Sequence, residues 1–174
     1  TRLLDDLLDL SVLESGQVSL NMTVGNLADV LDHAVSTALA GSEKPLKVYR
    51  KEISETVRIS SDLDRLAQVF INLIANAQKY CDAESPELSI EVSIKRERLR
   101  IDFLDNGSGI PVPSQQMIFE KFSRVSPEKA GGAGLGLAIC REIMQRLGGD
   151  VRYLHGHPGG AFRVSLPMSS EMAS

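Results

Sequence analysis

Two runs of alternating apolar residues, separated by the charged segment KRER, most constrain the fold of this chain. The alternating positions in residues 87–94 and 99–105 are Leu88, Ile90, Val92, Ile94, Leu99, Ile101 and Phe103. Strict alternation predicts strands with one buried face, and the charged segment between them predicts the turn of a hairpin. The sequence therefore predicts an antiparallel sheet whose apolar face must be covered by a second layer.

Helical patterns can supply that layer. Leucine-rich residues 1–14 predict a helix that ends at Gly16, and residues 27–39 predict a second helix. The clearest helix spans residues 65–80 after an N-cap at Asp62, and a further helix starts at the glycine cluster 131–136 and runs to Leu147. With a strand near residues 46–49 and a closing hairpin of 150–154 and 161–167, the prediction is an α+β fold, a two-layer sandwich of helices on a mixed, mostly antiparallel sheet.

The N-terminal helix has two open interpretations. Leu3, Leu7 and Leu10 share one stripe, with Leu4 and Leu8 beside it. A helix this short is marginal alone in water, so its apolar stripe needs a partner. The stripe could pack on its own domain, or it could be the end of a helix that dimerises.

Composition excludes several classes of protein. The 174 residues carry 19 Lys and Arg against 23 Asp and Glu, a net charge of -4 that disfavours a protein coating nucleic acid. No apolar run reaches the ~18 residues of a membrane span, and no signal peptide is evident, so we expect no membrane contact and a cytoplasmic location. Cys81 and Cys140 lie far apart without C-x-x-C spacing, which predicts reduced thiols. The start at Thr1, without Met, suggests a fragment of a longer protein.

Asp105 is the first candidate site residue. It has the same parity as the apolar residues of its strand, so its carboxylate should point inward where the strand ends. A buried carboxylate needs a partner. It could cap the Asp-Asn-Gly turn, or it could accept a hydrogen bond from the amino group of a bound base.

The helix at 65–80 carries a second candidate site. Arg65, Asn72, Asn76 and Lys79 fall within an arc of about 60° beside its apolar face. Two carboxamide oxygens one turn apart suit a hard cation such as Mg²⁺, and a neighbouring ammonium suits phosphate. The alternative is a solvated polar stripe.

Glycines that run into a helix form the third candidate site. Backbone amides at such a helix start can cradle an anion. Gly132, Gly134 and Gly136 form G-x-G-x-G, which matches neither the dinucleotide-binding pattern nor the P-loop pattern.

The order of these motifs resembles the ATP-binding catalytic domain of sensor histidine kinases, in the superfamily shared with gyrase, Hsp90 and MutL. The order is an asparagine helix, a strand ending in D-x-G-x-G, the segment IFEKFSR, and G-x-G-x-G opening a helix. The resemblance implies a Bergerat-type ATP-binding fold. It implies that 1–18 is the end of a dimerisation-hairpin helix with its linker, 19–168 the catalytic ATP-binding domain, and 169–174 a C-terminal tail.

Roles for individual residues follow from the resemblance. In the asparagine box, Asn76 would be the principal Mg²⁺ ligand with Asn72 beside it, Lys79 a phosphate contact, and Tyr80 a ring that stacks on adenine. In the first glycine box, Asp105 would accept a hydrogen bond from the adenine amino group. The remaining nucleotide contacts implied by the first glycine box, the phenylalanine box and the second glycine box are Gly107, Gly109, Ile110, Phe119, Phe122, Gly132, Gly134, Leu135, Gly136 and Leu137.

The implied activity is a kinase that moves the γ-phosphoryl group of ATP to a histidine. Asn72, Asn76, Lys79 and Arg124 would be the catalytic residues, with ATP and Mg²⁺ as cofactors. The phosphoacceptor motif is absent, and the three histidines of the chain look like surface or capping residues. The accepting histidine would lie on the dimerisation domain of the same parent, which would form a homodimer and pass the group to an aspartate on a response-regulator receiver domain. Whether the parent is anchored in a membrane stays open.

Three other functions are weighed against this one. Ala133 stands where many relatives carry Thr or Ser, and the lid segment is short, so the chain could be a nucleotide-binding regulatory module with degraded catalysis that acts by protein interaction. An anti-sigma serine kinase fits the IFEKFSR segment and the leucine-rich helix less well. Hydrolysis of ATP is disfavoured because Asn72 occupies the position of the water-activating Glu and cannot abstract a proton.

Overall fold

A five-stranded sheet and a layer of helices form the fold, and the computed structural model describes residues 2–16, 19–51, 56–120 and 136–167. The helices are α1 (Arg2–Ser15), α2 (Leu27–Ala40), α3 (Leu63–Tyr80), the single turn α4 (Val112–Gln115) and α5 (Gly136–Arg146). The strands are β1 (Thr23–Asn26), β2 (Lys47–Lys51), β3 (Arg58–Ser61), β4 (Glu87–Lys95), β5 (Arg98–Asp105), β6 (Asp150–Tyr153) and β7 (Ala161–Pro167).

The main sheet has the strand order β2-β4-β5-β7-β6. Strand β2 pairs with β4 in parallel, and the other three pairings are antiparallel. The predicted mixed, mostly antiparallel sheet is thus confirmed. β1 and β3 form a separate antiparallel pair that the sequence did not predict.

The core lies between the sheet and α3, which contacts both α2 and α5. The Phe70 ring of α3 packs against the Phe103 ring of β5 with centroids 5.6 Å apart. Asp62 caps the helix as predicted, since its Oδ1 accepts a hydrogen bond from the backbone amide of Arg65. Helical periodicity over residues 65–80 predicts an apolar face of six residues. All six are buried: Leu66, Val69, Phe70, Leu73, Ile74 and Ala77.

The hairpin of β4 and β5 departs from the prediction only at its tip. Ile94 shares the parity of the buried residues but is 42% exposed, so the expectation that it is buried is wrong. Leu99, its partner across the ladder, is fully buried. The turn residues Arg96 and Glu97 both have positive φ, at 53° and 61°, which is the backbone of the two-residue hairpin turn that usually contains Asn and Gly.

The C-terminal half of α1 packs on its own domain, the first of the two interpretations. Leu10 and Leu13 are each 1% exposed. The Asp9 carboxylate accepts hydrogen bonds from Arg65 Nη1 at 2.9 Å and Gln68 Nε2 at 2.8 Å, both on α3. At the end of α1, Arg146 Nη2 of α5 donates to the Leu13 carbonyl at 2.8 Å. Among the side chains of α1 that the structure describes, the large apolar ones that stay exposed are Leu4, Leu7, Leu8 and Val12.

Candidate nucleotide-binding site

Asp105 ends β5 and is held by backbone amides from two different segments. Its Oδ1 accepts a hydrogen bond from Gly107 N at 2.8 Å and another from Gly160 N at 2.9 Å. The first bond is the cap of the Asp-Asn-Gly turn, which is one of the two interpretations of Asp105. The second comes from the turn between β6 and β7, which the sequence did not connect with Asp105. Within the described residues no hydrogen bond reaches Oδ2, so this oxygen stays available as an acceptor.

The residues after Asp105 are fixed by side-chain hydrogen bonds. Asn106 Oδ1 accepts from Glu87 N at 2.8 Å, and its Nδ2 donates to the Ser85 carbonyl at 2.9 Å. Ser108 donates through its backbone amide and its hydroxyl to Asp82, at 2.8 Å and 2.6 Å. Because Asp82 follows the end of α3, these bonds tie the loop to that helix.

Gly109 and Ile110 continue the loop. The backbone amide and the backbone carbonyl of Ile110 are both hydrogen-bonded to side chains. Gly109 has a φ of +82°, a conformation that favours glycine. The Ile110 amide donates to the Tyr153 hydroxyl at 3.0 Å, and its carbonyl accepts from Gln115 Nε2 at 2.8 Å. These hydrogen bonds therefore hold the loop in one conformation beside the Asp105 carboxylate.

The polar face of α3 carries the second group of predicted site residues. Asn72, Asn76 and Lys79 are all half-buried on it. Asn72 Nδ2 donates to the Gly136 carbonyl at 3.3 Å, which joins α3 to the first residue of α5. Lys79 Nζ lies 5.3 Å from the centroid of the Tyr80 ring. Arg65, the fourth member of the predicted arc, is instead paired with α1.

Phe119 is the predicted site residue of the phenylalanine box that lies within the described residues. Its ring meets Phe162 of β7 edge to face with centroids 6.1 Å apart, and the Arg141 guanidinium lies 5.7 Å from its centroid. Of the second glycine box, Gly136 and Leu137 open α5 and are half-buried. The predicted site residues that lie outside the described residues are Phe122, Arg124, Gly132, Gly134 and Leu135.

The two cysteines are free thiols, as predicted. Cys140 is buried beneath Asn72, and burial raises the pKa of its thiol to about 12. Burial also raises the pKa of Cys81, whose Sγ lies 3.3 Å from Asn106 Oδ1. Both thiols therefore stay protonated at neutral pH and are poor nucleophiles.

The arrangement combines one acceptor oxygen with amide and ammonium groups on an adjoining helix. Asp105 Oδ2 suits a ligand that carries an N–H donor. The carboxamides of Asn72 and Asn76 are neutral oxygen donors, so a Mg²⁺ ion held there would take its anionic ligands from phosphate groups that also face Lys79. These donors fit a magnesium nucleotide.

Sequence reasoning missed four residues that build this site: Asp82, Tyr153, Gly159 and Gly160. The available signal was the Pro-Gly-Gly run in the last hairpin, which predicted only a turn. Their contacts depend on which strands are neighbours, and this information is not local in the sequence.

Comparison with known proteins gives an independent line of evidence. Residues 61–170 match the family model described as histidine kinase-, DNA gyrase B- and HSP90-like ATPase. Sensor protein KdpD of Escherichia coli (strain K12) is 37% identical over 98% of this chain, which spans 19% of KdpD. Sensor histidine kinase WalK of Bacillus subtilis (strain 168) is 34% identical over 86% of this chain, which spans 25% of WalK.

Solved structures agree with the sequence relatives. The Acinetobacter baumannii histidine kinase AdeS superposes with a TM-score of 0.76 at 26% identity, covering 97% of this chain and 78% of that one. Full-length ShkA in complex with AMPPNP superposes with a TM-score of 0.83 at 26% identity, covering 97% of this chain and 35% of that one.

Across the described residues, every helix is too short or too polar to cross a membrane.

Proposed function

The chain belongs to the histidine kinase-, DNA gyrase B- and HSP90-like ATPase family, and on this basis we propose that it is the ATP-binding kinase domain of a two-component sensor histidine kinase. The chain spans only 19% and 25% of the length of two curated relatives, KdpD and WalK. The activity of a whole sensor kinase is therefore part of the proposal.

The observation that carries the proposal is the anchored Asp105 carboxylate. Oδ1 is occupied by two amides, and Oδ2 is left as an acceptor next to a rigid loop. An ionised acceptor favours a base with an exocyclic amino group, as adenine has, over one with a carbonyl at that position. Asp105 is proposed to hold the adenine base, with Tyr80 stacking on it.

The phosphate chain is proposed to lie along α3 towards α5. Lys79 would contact the phosphates, and Asn76 and Asn72 would hold the cation through their side-chain oxygens. The bond between Asn72 and Gly136 supports this placement because it fixes the start of α5, whose backbone amides favour an anion. Mg²⁺ would supply charge neutralisation at the phosphates when the nucleotide is bound. Arg124 and the second glycine box are proposed to complete the phosphate site.

The phosphoryl group is proposed to go to a histidine outside this chain. A neutral imidazole nitrogen attacks the γ-phosphorus, a P–N bond forms, the bond to the bridging oxygen breaks, and ADP leaves. The proposed partners are a dimerisation domain of the same parent and a response-regulator receiver domain. The described residues of this chain contribute base recognition, phosphate positioning and charge.

Binding is tested first, by calorimetric titration of the chain with Mg²⁺ and ATP. Removing a hydrogen bond to an ionised acceptor costs about 1.5–3 kcal/mol, so Asp105→Ala should weaken ATP binding by about tenfold to a hundredfold. Asp29→Ala, at an exposed position on α2, is the matched control and should bind as the wild type does. Equal affinities for the Asp105 and Asp29 variants would contradict the adenine assignment, and no binding at millimolar ATP would contradict nucleotide binding itself.

Transfer is tested second, with γ-labelled ATP and a separately supplied dimerisation domain. The chain alone should gain no label, and the supplied domain should gain acid-labile, base-stable phosphate as expected of phosphohistidine. ATP binding without any transfer would favour the regulatory module instead.

A further inference from the structure

We propose that Gly159 and Gly160, in the turn between β6 and β7, position the Asp105 carboxylate and thereby set which purine base the site accepts, an inference that rests on the proposed function. Neither residue lies in the glycine boxes that the sequence singled out. Three observations support their role in positioning Asp105: the hydrogen bonds that Gly160 makes, the lack of space for a side chain at either glycine, and the contacts of Tyr153.

The first observation is a reciprocal pair of hydrogen bonds. Gly160 N donates to Asp105 Oδ1 at 2.9 Å, and Asp105 N donates to the Gly160 carbonyl at 2.8 Å. The second glycine thus binds both the backbone and the side chain of the same aspartate. With Gly107 N on the same Oδ1, two backbone donors hold this oxygen in place.

The second observation is that glycine is required here for space. Among the described glycines, positive φ occurs only at Gly16, Gly109, Gly148 and Gly156, so the backbone of Gly159 and Gly160 is open to any L residue. A Cβ at Gly160 would lie 2.3 Å from Asp105 Oδ2, and one at Gly159 would lie 2.0 Å from the Asp105 carbonyl. Only glycine lets the turn approach the aspartate this closely.

The third observation is a brace between the turn and the loop after β5. The Tyr153 hydroxyl donates to the Gly159 carbonyl at 3.4 Å and accepts from the Ile110 amide at 3.0 Å. The Tyr153 side chain is buried, and its ring meets Phe162 edge to face at 5.3 Å. One side chain therefore links the turn to the loop that presents Asp105.

Base selection follows from this geometry. Because two amides hold Oδ1, Oδ2 is the only carboxylate oxygen left to meet a base, and it can only accept. A base with an amino group at this position gains a charge-assisted hydrogen bond, whereas a bare C–H gains none. If the carboxylate turns away, the amino group loses that bond while the phosphate contacts on α3 remain.

The test measures dissociation constants for ATP and for purine riboside triphosphate, which lacks the amino group. The wild type should prefer ATP by about tenfold or more. In Gly160→Ala the new methyl group displaces Oδ2, so the preference should fall to within about twofold of unity, mainly through weaker ATP binding. Gly41→Ala is the matched control, because a Cβ there meets nothing closer than 3.5 Å, and it should keep the wild-type preference.

The outcomes distinguish a failure of the proposed function from a failure of the positioning role of Gly159 and Gly160. Failure of the wild type to bind either nucleotide would refute the proposed function. A wild type that prefers ATP, together with a folded Gly160→Ala variant that keeps this preference, would refute only the positioning role. If Gly160→Ala lacks a cooperative melting transition, Tyr153→Phe is tested in its place, because it removes the bracing hydroxyl and keeps the ring. A Tyr153→Phe variant with the wild-type preference for ATP over purine riboside triphosphate would overturn the inference.

Discussion

Replacing Gln78 with methionine should stabilise the protein. Gln78 lies on α3 and is 4% exposed, and within the described part of the chain neither Nε2 nor Oε1 of its amide has a hydrogen-bond partner. Leaving a buried polar group unsatisfied costs about 1–3 kcal/mol. Methionine has a similar length, volume and helix propensity, so Gln78→Met should raise the free energy of unfolding by about 1–3 kcal/mol without a new cavity. For a chain of this size each kcal/mol shifts the melting temperature by about 2–4 °C.

The assay is urea unfolding followed by circular dichroism, with Gln68→Met as the matched control. Gln68 lies on the same helix, but its amide bonds to Asp9 at 2.8 Å and to Arg65 at 3.0 Å, so the same substitution there should lower stability by about 1 kcal/mol. Gln78 lies about 200° around α3 from Asn76, so nucleotide affinity should not change. A Gln78→Met variant no more stable than the wild type would refute the reasoning, because the Gln78 amide of the wild type would then have to be hydrogen-bonded.

Two further predictions concern the hairpin turn and the buried thiol. Glu97→Gly should raise the free energy of unfolding by about 1 kcal/mol, because Glu97 holds a φ of 61° that glycine adopts without strain; a urea titration with no gain would contradict this. Burial raises the pKa of Cys140 to about 12, above the value of about 8.5 for an unfolded thiol, so the folded state holds its proton more tightly. That stabilisation is complete below about pH 8.5 and is lost as pH rises towards 12, so the stability of the wild type relative to Cys140→Ala should fall over this range; a pH-independent difference would count against it.

The local fold was largely readable from the sequence because its patterns are long. Periodicity over residues 65–80 predicted the buried face of α3, and alternation predicted β4 and β5. The pattern failed at Ile94 because alternation marks a face but does not show how far the covering helices extend. β1 and β3 escaped prediction because four residues are too few to show a period.

The candidate site was readable only where its residues are close in sequence. Strand parity singled out Asp105, and the Asp-Asn-Gly sequence offered a turn cap as one of its two roles, which its bond to Gly107 is. The bond from Gly160 spans 55 residues and exists because β7 lies beside β5 in the sheet. The pairing of Arg65 with Asp9 spans 56 residues and depends on where α1 docks. Neither contact leaves a local pattern.

The docking of α1 has a consequence for the order in which the fold is gained and lost. The contact between Arg146 and Leu13 closes a loop of 133 residues, so it can form only after α5 is in place. A helix of 14 residues is marginal by itself, and the helicity of α1 therefore depends on its docked state. Its backbone amides should exchange with solvent through a local opening that leaves the sheet intact, and α1 would be the last element to assemble during refolding.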